Sequence, residues 1–348
     1  MRTIFTRLAA VAILLLAMEL SHAQDIHFSQ FYASPLTLNP AMTGNIAGGY
    51  RAAVNYRNQW SSIPAPYSTI AGSFDISVLQ CQLGIDHVGL GLAFYNDRAG
   101  DGNLNELTGL FSVAYHKGFD PEKRYVLALG GQAGFTQKSV DFNKLIFGNQ
   151  INDEFQADPT LPNGEPIANT SFSYLDFRGG GLFTAAVNDQ VNFYLGGAYN
   201  HFTKPTEQFL DNNGTVPVNK LDPRLVVHGG GSFFLNEQFS ISPSILFMQQ
   251  TGSQEINAGA ALGYHFGGDR YSGPGAGVYL GGWYRVQDAV ILVVGADYQN
   301  FRLGLSYDIN VSDLKVASSS QGGFELALNY VGRLPECQKK MKLYCPRF

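Results

Sequence analysis

From Tyr50 onward the chain repeats segments of about ten residues in which apolar and polar side chains alternate, each closed off by turn residues, the pattern of a membrane-barrel wall strand. Between residues 67 and 78, Ile70, Gly72, Phe74, Ile76 and Val78 fall on one face, while Thr69, Ala71, Ser73, Asp75 and Ser77 fall on the other. Just before them Tyr50, Ala52, Val54 and Tyr56 oppose Arg51, Ala53, Asn55 and Arg57, and near the end Phe324, Leu326, Leu328 and Tyr330 oppose Glu325, Ala327 and Asn329. A charge facing lipid near mid-membrane costs about 2–4 kcal/mol, which assigns the polar faces to a lumen. A first hairpin centred near Ile63 then sets Arg51 opposite Asp75 on the inward face, where they are expected to pair.

Arg2 and Arg7, the apolar run from Leu8 to Leu20 and the small-residue site Ser21-His22-Ala23 read as a signal peptide over residues 1–23, with Gln24 first in the mature chain. No later run reaches the roughly 20 apolar residues of a spanning helix; the best, residues 289–296, is strand-sized. An open sheet would leave backbone groups unsatisfied in lipid, so a spanning chain of this kind must close into a barrel. Composition agrees, with 40 Gly, 25 Phe and 18 Tyr against only 15% charged residues. Loss of the leader takes away Arg2, Arg7 and Glu19 and moves the net charge from -5 to -6, which argues against a general nucleic-acid partner.

The segments number about fourteen, an even count as single-chain bacterial barrels require: 50–58, 67–78, 87–96, 105–116, 124–136, 172–187, 191–199, 224–234, 239–248, 255–266, 277–286, 289–298, 301–308 and 323–331. The expected fold is an all-β, up-and-down antiparallel transmembrane barrel. Its two longest connections, 137–171 and 200–223, and also 309–322, follow odd-numbered strands, which places all three outside the cell if the chain starts in the periplasm. The segment 289–298 is apolar on both faces, so alternation does not orient it. Residues 24–49, with Pro35 and Pro40 and no alternation, form a periplasmic arm or a plug folded into the lumen; 50–331 form the barrel; 332–348 form a basic periplasmic tail.

Motifs of chemistry are few. There is no Gly-x-Ser-x-Gly elbow, zinc helix or phosphate loop, and no catalytic residue, cofactor or metal is assigned. Asp101-Gly-Asn103-Leu-Asn105 resembles the start of a calcium loop, but Glu106 stands where the turn glycine is needed. Cys337 and Cys345 pair in one reading and stay free, with Cys81, in another. His87, His116, His228 and His265 fall in strands and His201 begins a long connection, none with a Ser and an acid at a telling spacing.

The stretch Asp25-Ile-His27-Phe28-Ser29-Gln30-Phe31-Tyr32, continuing to Asn39-Pro40-Ala41 and followed by Arg51 and Asn55-Tyr56-Arg57-Asn58-Gln59-Trp60, resembles the opening signature of the PorP/SprF family of membrane proteins. Two later stretches are similar to family features: Tyr199-Asn200-His201-Phe-Thr-Lys-Pro205, and Gly304-Leu305-Ser306-Tyr307-Asp308-Ile-Asn310-Val-Ser312. Departures are Leu305, where an aromatic residue is common, and Phe324, where a histidine is common. The resemblance implies an outer-membrane component of type IX secretion and gliding motility in Bacteroidota, supporting export or surface anchoring of an adhesin-like protein. Implied partners are outer-membrane lipid, type IX cargo with a carboxy-terminal sorting domain, and periplasmic type IX or peptidoglycan-associated components. A small-solute porin and, less favoured, a barrel lipid hydrolase are the competing functions. In the plainer reading His27, Phe28, Phe31 and Tyr32 anchor the arm to lumen side chains rather than meet a partner, and Trp60 joins the outer aromatic girdle. The connection 137–171 carries Phe142, Ile146, Phe147 and Phe155, which either form a partner surface or fold back to cap the barrel.

Overall fold

The computed structural model describes residues 25–334 apart from 64, 81, 153, 155, 168, 210–218, 267–274 and 314. The expected leader, Phe155, all three cysteines and the basic stretch beyond Leu334 therefore lie outside the described residues. The strands are β1 (Tyr50–Gln59), β2 (Tyr67–Val78), β3 (His87–Ala99), β4 (Leu104–Gly118), β5 (Tyr125–Ser139), β6 (Ser171–Ala186) and β7 (Val191–Asn200). They continue as β8 (Arg224–Phe234), β9 (Phe239–Gln250), β10 (Ser253–Phe266), β11 (Ala276–Arg285), β12 (Ala289–Tyr298), β13 (Phe301–Asn310) and β14 (Gln321–Gly332). Each pairs antiparallel with its neighbours and β1 closes on β14, giving a closed barrel of 14 strands. No described helix is long and apolar enough to cross a membrane.

Alternation becomes geometry along each strand. Arg51 is opposite Asp75 and Gln59 opposite Tyr67, so the first hairpin does centre on Ile63. Outward residues such as Leu129 and Leu280 are each 64% exposed in mid-strand, a surface that suits lipid rather than water. Aromatic rings gather toward both rims, with Phe301 and Tyr330 4.8 Å apart at one and Trp60 and Tyr67 5.3 Å apart at the other, as girdles do. In β12, Ile291 and Val293 point inward and are buried, while Leu292 and Val294 point outward. That strand is apolar on both faces because its lumen face meets an apolar core.

Several strands exceed the bounds read from alternation. β3 runs to Ala99 and β5 to Ser139, because the ladder continues through polar pairs such as Arg98–Asn105 and Glu106–Lys138 after the apolar pattern has stopped. These tall strands rise on the side of the long connections 140–170 and 201–223, here termed the loop end. The connections pack on one another there: Asn169 N donates to Phe209 O (3.1 Å), and Phe142 meets Phe209 edge-on at 6.0 Å. The opposite rim, where β1 begins and β14 finishes, is the turn end.

Candidate functional site

The lumen is filled by the chain's own amino-terminal arm, residues 25–49, which runs its full height. Prolines set the shape of its middle: a helical turn over Pro35–Leu38 starts on Pro35 and a tighter turn over Pro40–Met42 starts on Pro40, each where a missing amide hydrogen costs nothing. At the turn end Gly49 N donates to Gly332 O (2.7 Å), and Asp75 accepts from Gly44 N (2.8 Å) and from Arg51 Nε and Nη2 (3.0 and 2.8 Å). Arg51 also donates to Met42 O (3.1 Å). The expected Arg51–Asp75 pair thus forms, and it clamps the arm. His116 Nε2 lies 2.7 Å from Thr43 O and His87 Nε2 3.2 Å from Gly44 O, with the two rings stacked at 4.2 Å. A carbonyl only accepts, so both rings carry their proton on Nε2.

At mid-height the seat is apolar and cut to fit. Phe31, Leu38, Ala41 and Met42 join Leu182, Tyr194, Val226, Leu246, Trp283, Ile291 and Val293 in one buried cluster, and Phe28 and Leu36 join Ala71, Ala93, Tyr95 and Leu110 in another. Each large side chain so buried contributes about 1.5–3 kcal/mol. Tyr32 lies 5.4 Å from the Trp283 ring. Asn39 uses its whole amide: Oδ1 accepts from Ala41 N (2.9 Å), and Nδ2 donates to Gly181 O (3.0 Å) and faces His228 Nε2 (2.9 Å). Glycines bring the wall close, since a Cβ on Gly180 would stand 2.1 Å from Asn39 Oδ1 and one on Gly130 2.5 Å from the Pro40 and Ala41 backbone.

At the loop end the arm meets buried charge. Glu325 accepts from the backbone amides of Ser29 (2.7 Å) and Gln30 (3.0 Å), and Asp308 accepts from Ser29 Oγ (2.7 Å), Arg57 Nη2 (3.0 Å) and Arg285 Nη2 (2.9 Å). Arg57 and Arg285 both donate to Ser29 Oγ as well, and Gln30 Nε2 reaches Ser306 Oγ at 3.4 Å. Asp25 sits between His201 Nε2 and Arg224 Nε (3.3 Å), and His201 Nδ1 lies 2.9 Å from Asp176, which Arg178 also holds at 2.9 Å. Burial alone would raise the Asp25 carboxyl, but the charges of His201 and Arg224 outweigh it and hold the group well below the ordinary carboxylate range. Burial alone would lower His201; Asp25 and Asp176 outweigh it and raise the ring above its ordinary value.

Most of the motif residues therefore converge: Asp25 with His201, and Ser29 and Gln30 with Arg57, Ser306 and Asp308. His27 Nδ1 stands 3.8 Å from Glu255. Asn55 is buried on the lumen face, and Gln59 accepts from Arg57 Nε at 3.3 Å. Tyr56 and Tyr307 do not join, being 37% and 44% exposed on the outward face, and Asn58 and Trp60 stay at the rim of β1. Pro205 lies in the loop-end cap, its carbonyl accepting from Leu221 N (2.9 Å). Phe142 and Phe147 stack at 6.3 Å in that cap, whereas Ile146 is 49% exposed. Sequence reasoning missed Arg224, Glu255 and Arg285 and gave Glu325 an inward direction without a partner. Their signal was a charge at an inward alternation position, but Ser29 lies 296 residues from Glu325 and no local spacing links them.

Fold and site together define a closed outer-membrane-type β-barrel whose lumen is stoppered by its own amino-terminal arm. The chain belongs to the type IX secretion system membrane protein PorP/SprF family, whose model matches residues 20–330. No curated relative matches it. Among solved structures it is similar to the toluene transporter TbuX of Ralstonia pickettii, with TM-score 0.48 and 14% identity over 86% of this chain and 94% of that one. A FadL homologue of Pseudomonas aeruginosa gives TM-score 0.43 and 10% identity over 84% and 92% of the two chains. CdiB from Escherichia coli gives TM-score 0.44 and 10% identity over 81% of this chain and 63% of that one.

Proposed function

We propose that the protein is a closed scaffold of type IX secretion rather than a conduit, holding its loop end outside the cell and supporting export or surface anchoring of a secreted adhesin-like protein, as gliding motility requires. The observation that carries this reading is the arm itself, which fills the lumen from rim to rim with residues such as Ser29, Leu36 and Asn39 fully buried. A solute porin needs a path, and here the path is core. The partner surface is the loop-end cap, where Ile146 stands free beside the packed Phe142 and Phe147, and the cargo is a protein with a carboxy-terminal sorting domain. Periplasmic type IX or peptidoglycan-associated components meet the turn end.

Two measurements test this. In planar bilayers the full-length protein is expected to show no stepwise conductance; steady open-pore steps would refute the closed scaffold. Deletion of residues 141–166 is expected to leave a heat-modifiable barrel in the membrane while its cargo escapes into the medium. Cargo that stays cell-bound beside a correctly inserted deletion variant removes this connection from the function.

A further inference from the structure

Asp25 does more than close one end of the arm. The connection between β7 and β8 leaves the wall at His201 and returns at Arg224, and Asn200 and Arg224 stand opposite each other in register at its base. Asp25 bonds both legs of that connection. On the outgoing leg its carboxylate meets His201 Nε2, while His201 Nδ1 lies 2.9 Å from Asp176. On the returning leg the carboxylate meets Arg224 Nε (3.3 Å), and Gln250 bridges the rest: Oε1 accepts from Asp25 N (3.2 Å) and Nε2 donates to Asp222 O (3.1 Å). The two legs therefore meet at one residue of the arm.

The outgoing leg is held in a shape its own sequence does not favour. His201 and Lys204 have φ of +57° and +48°, in the left-handed region that residues with a Cβ seldom occupy. Such residues keep that conformation only where their surroundings over-determine it. For His201, which is buried, those surroundings include Asp25 and Asp176. Contacts run on from there through the cap. Lys204 N donates to His201 O (3.0 Å), Leu221 N to Pro205 O (2.9 Å) and Glu207 N to Asn219 O (2.9 Å), which ties the two legs into a short hairpin. Glu207 then accepts from the Tyr174 hydroxyl (2.9 Å) and meets Lys138 Nζ (2.6 Å), and Phe209 packs on Phe172 at 4.6 Å and takes the amide of Asn169 (3.1 Å) from the neighbouring connection.

We propose that Asp25 couples the arm to the cap, so that seating of the arm sets the shape of the partner surface and an exported protein bound to the cap controls in turn how firmly the arm is seated. Such coupling is reciprocal by thermodynamic necessity. The element with two states is the outgoing leg 201–204, left-handed at His201 and Lys204 while Asp25 is in place and relaxed once it leaves. A protein that binds the cap more tightly with the leg in one of these shapes shifts the arm by the same factor, and its arrival outside is registered within the lumen. The inference rests on the cap being the partner surface.

Amide exchange of the purified full-length protein in detergent reads the coupling with no partner present. Asp25→Asn removes the charge at the junction and leaves the cap's own residues untouched. In it the amides of Lys204, Glu207, Leu221 and Asn169 are expected to exchange about tenfold faster, while that of Gly49, bonded to Gly332 at the turn end, does not change. His201→Gln is expected to give the same increase, and the double variant no more than either single one, since both substitutions break one junction. In the reverse direction Glu207→Gln, which weakens the cap's hold on Lys138, is expected to speed exchange of the Ser29 and Gln30 amides by about fivefold. The proposal is overturned if heat-modifiable Asp25→Asn protein keeps the unmodified exchange rates in the cap, if the effects of the two substitutions add, or if Glu207→Gln leaves Ser29 and Gln30 unchanged. These outcomes are separate from the deletion of residues 141–166, whose failure would remove the partner surface and leave the exchange rates as they are.

Discussion

At the scale of single residues, the junction of Asp25 and His201 makes the arm's hold depend on pH. Asp25 has a depressed carboxyl, so its contribution is present above the ordinary carboxylate value and lost as pH falls through the folded one. His201 is raised, so its contribution is complete below the ordinary imidazole value and lost as pH rises through the folded one. The hold is therefore strongest between about pH 4 and about pH 6.5. Protection of the amides of residues 25–30, taken relative to the same amides in an unstructured chain at each pH, is expected to be highest in that window and to fall on both sides, and His201→Gln should erase the alkaline fall. A flat profile in the unmodified protein would show that Arg224, Arg178 and Asp176 fix this end without the histidine. None of this was legible from the sequence beyond the residues themselves, because Asp25 and His201 are 176 positions apart and meet only once the wall has closed.

At the scale of elements, the wall strands were legible because lipid on one side and lumen on the other impose a period of two that survives without any alignment. What alternation could not carry was the extent of β3 and β5, whose ladders outlast their apolar pattern, or the orientation of β12, whose inward Ile291 and Val293 are apolar for the arm's sake. The arm was legible only as a segment without alternation, since its seat is assembled from many strands at once. The glycine runs of β5 and β6 expose that seat to test. Gly180 faces Asn39 so closely that an added methyl cannot fit, while Gly179 beside it has nothing within 4 Å of such a methyl. Gly180→Ala is expected to destabilise the folded barrel by about 1–3 kcal/mol, the usual cost of overpacking, and Gly179→Ala to leave the heat-modification midpoint nearly unchanged. Equal midpoints for the two variants would mean that the arm does not press on β6 as described.

At the scale of the whole molecule, the two ends of the barrel are unlike. The loop end carries the tall strands, the packed connections 140–170 and 201–223 and the start of the arm; the turn end carries the close of β14 and the clamp at Asp75. Epitope tags within 137–171 or 200–223 are expected to be labelled on intact cells, and a tag after Phe348 only after the envelope is opened; the reverse pattern would invert the orientation. The continuous arm also fixes the order in which such a molecule can be made. A segment bonded at Gly49 to the turn end and at Ser29 to Glu325 near the loop end, with side chains as large as Phe31 embedded in between, cannot be threaded through a finished wall. The sheet must instead curl around it, so that pairing of β1 with β14 and seating of the arm are a single late event joining residues almost a full chain length apart. Until that moment the nascent protein is a curved sheet with two bare edges, and the arm along its concave side is the template on which those edges find each other.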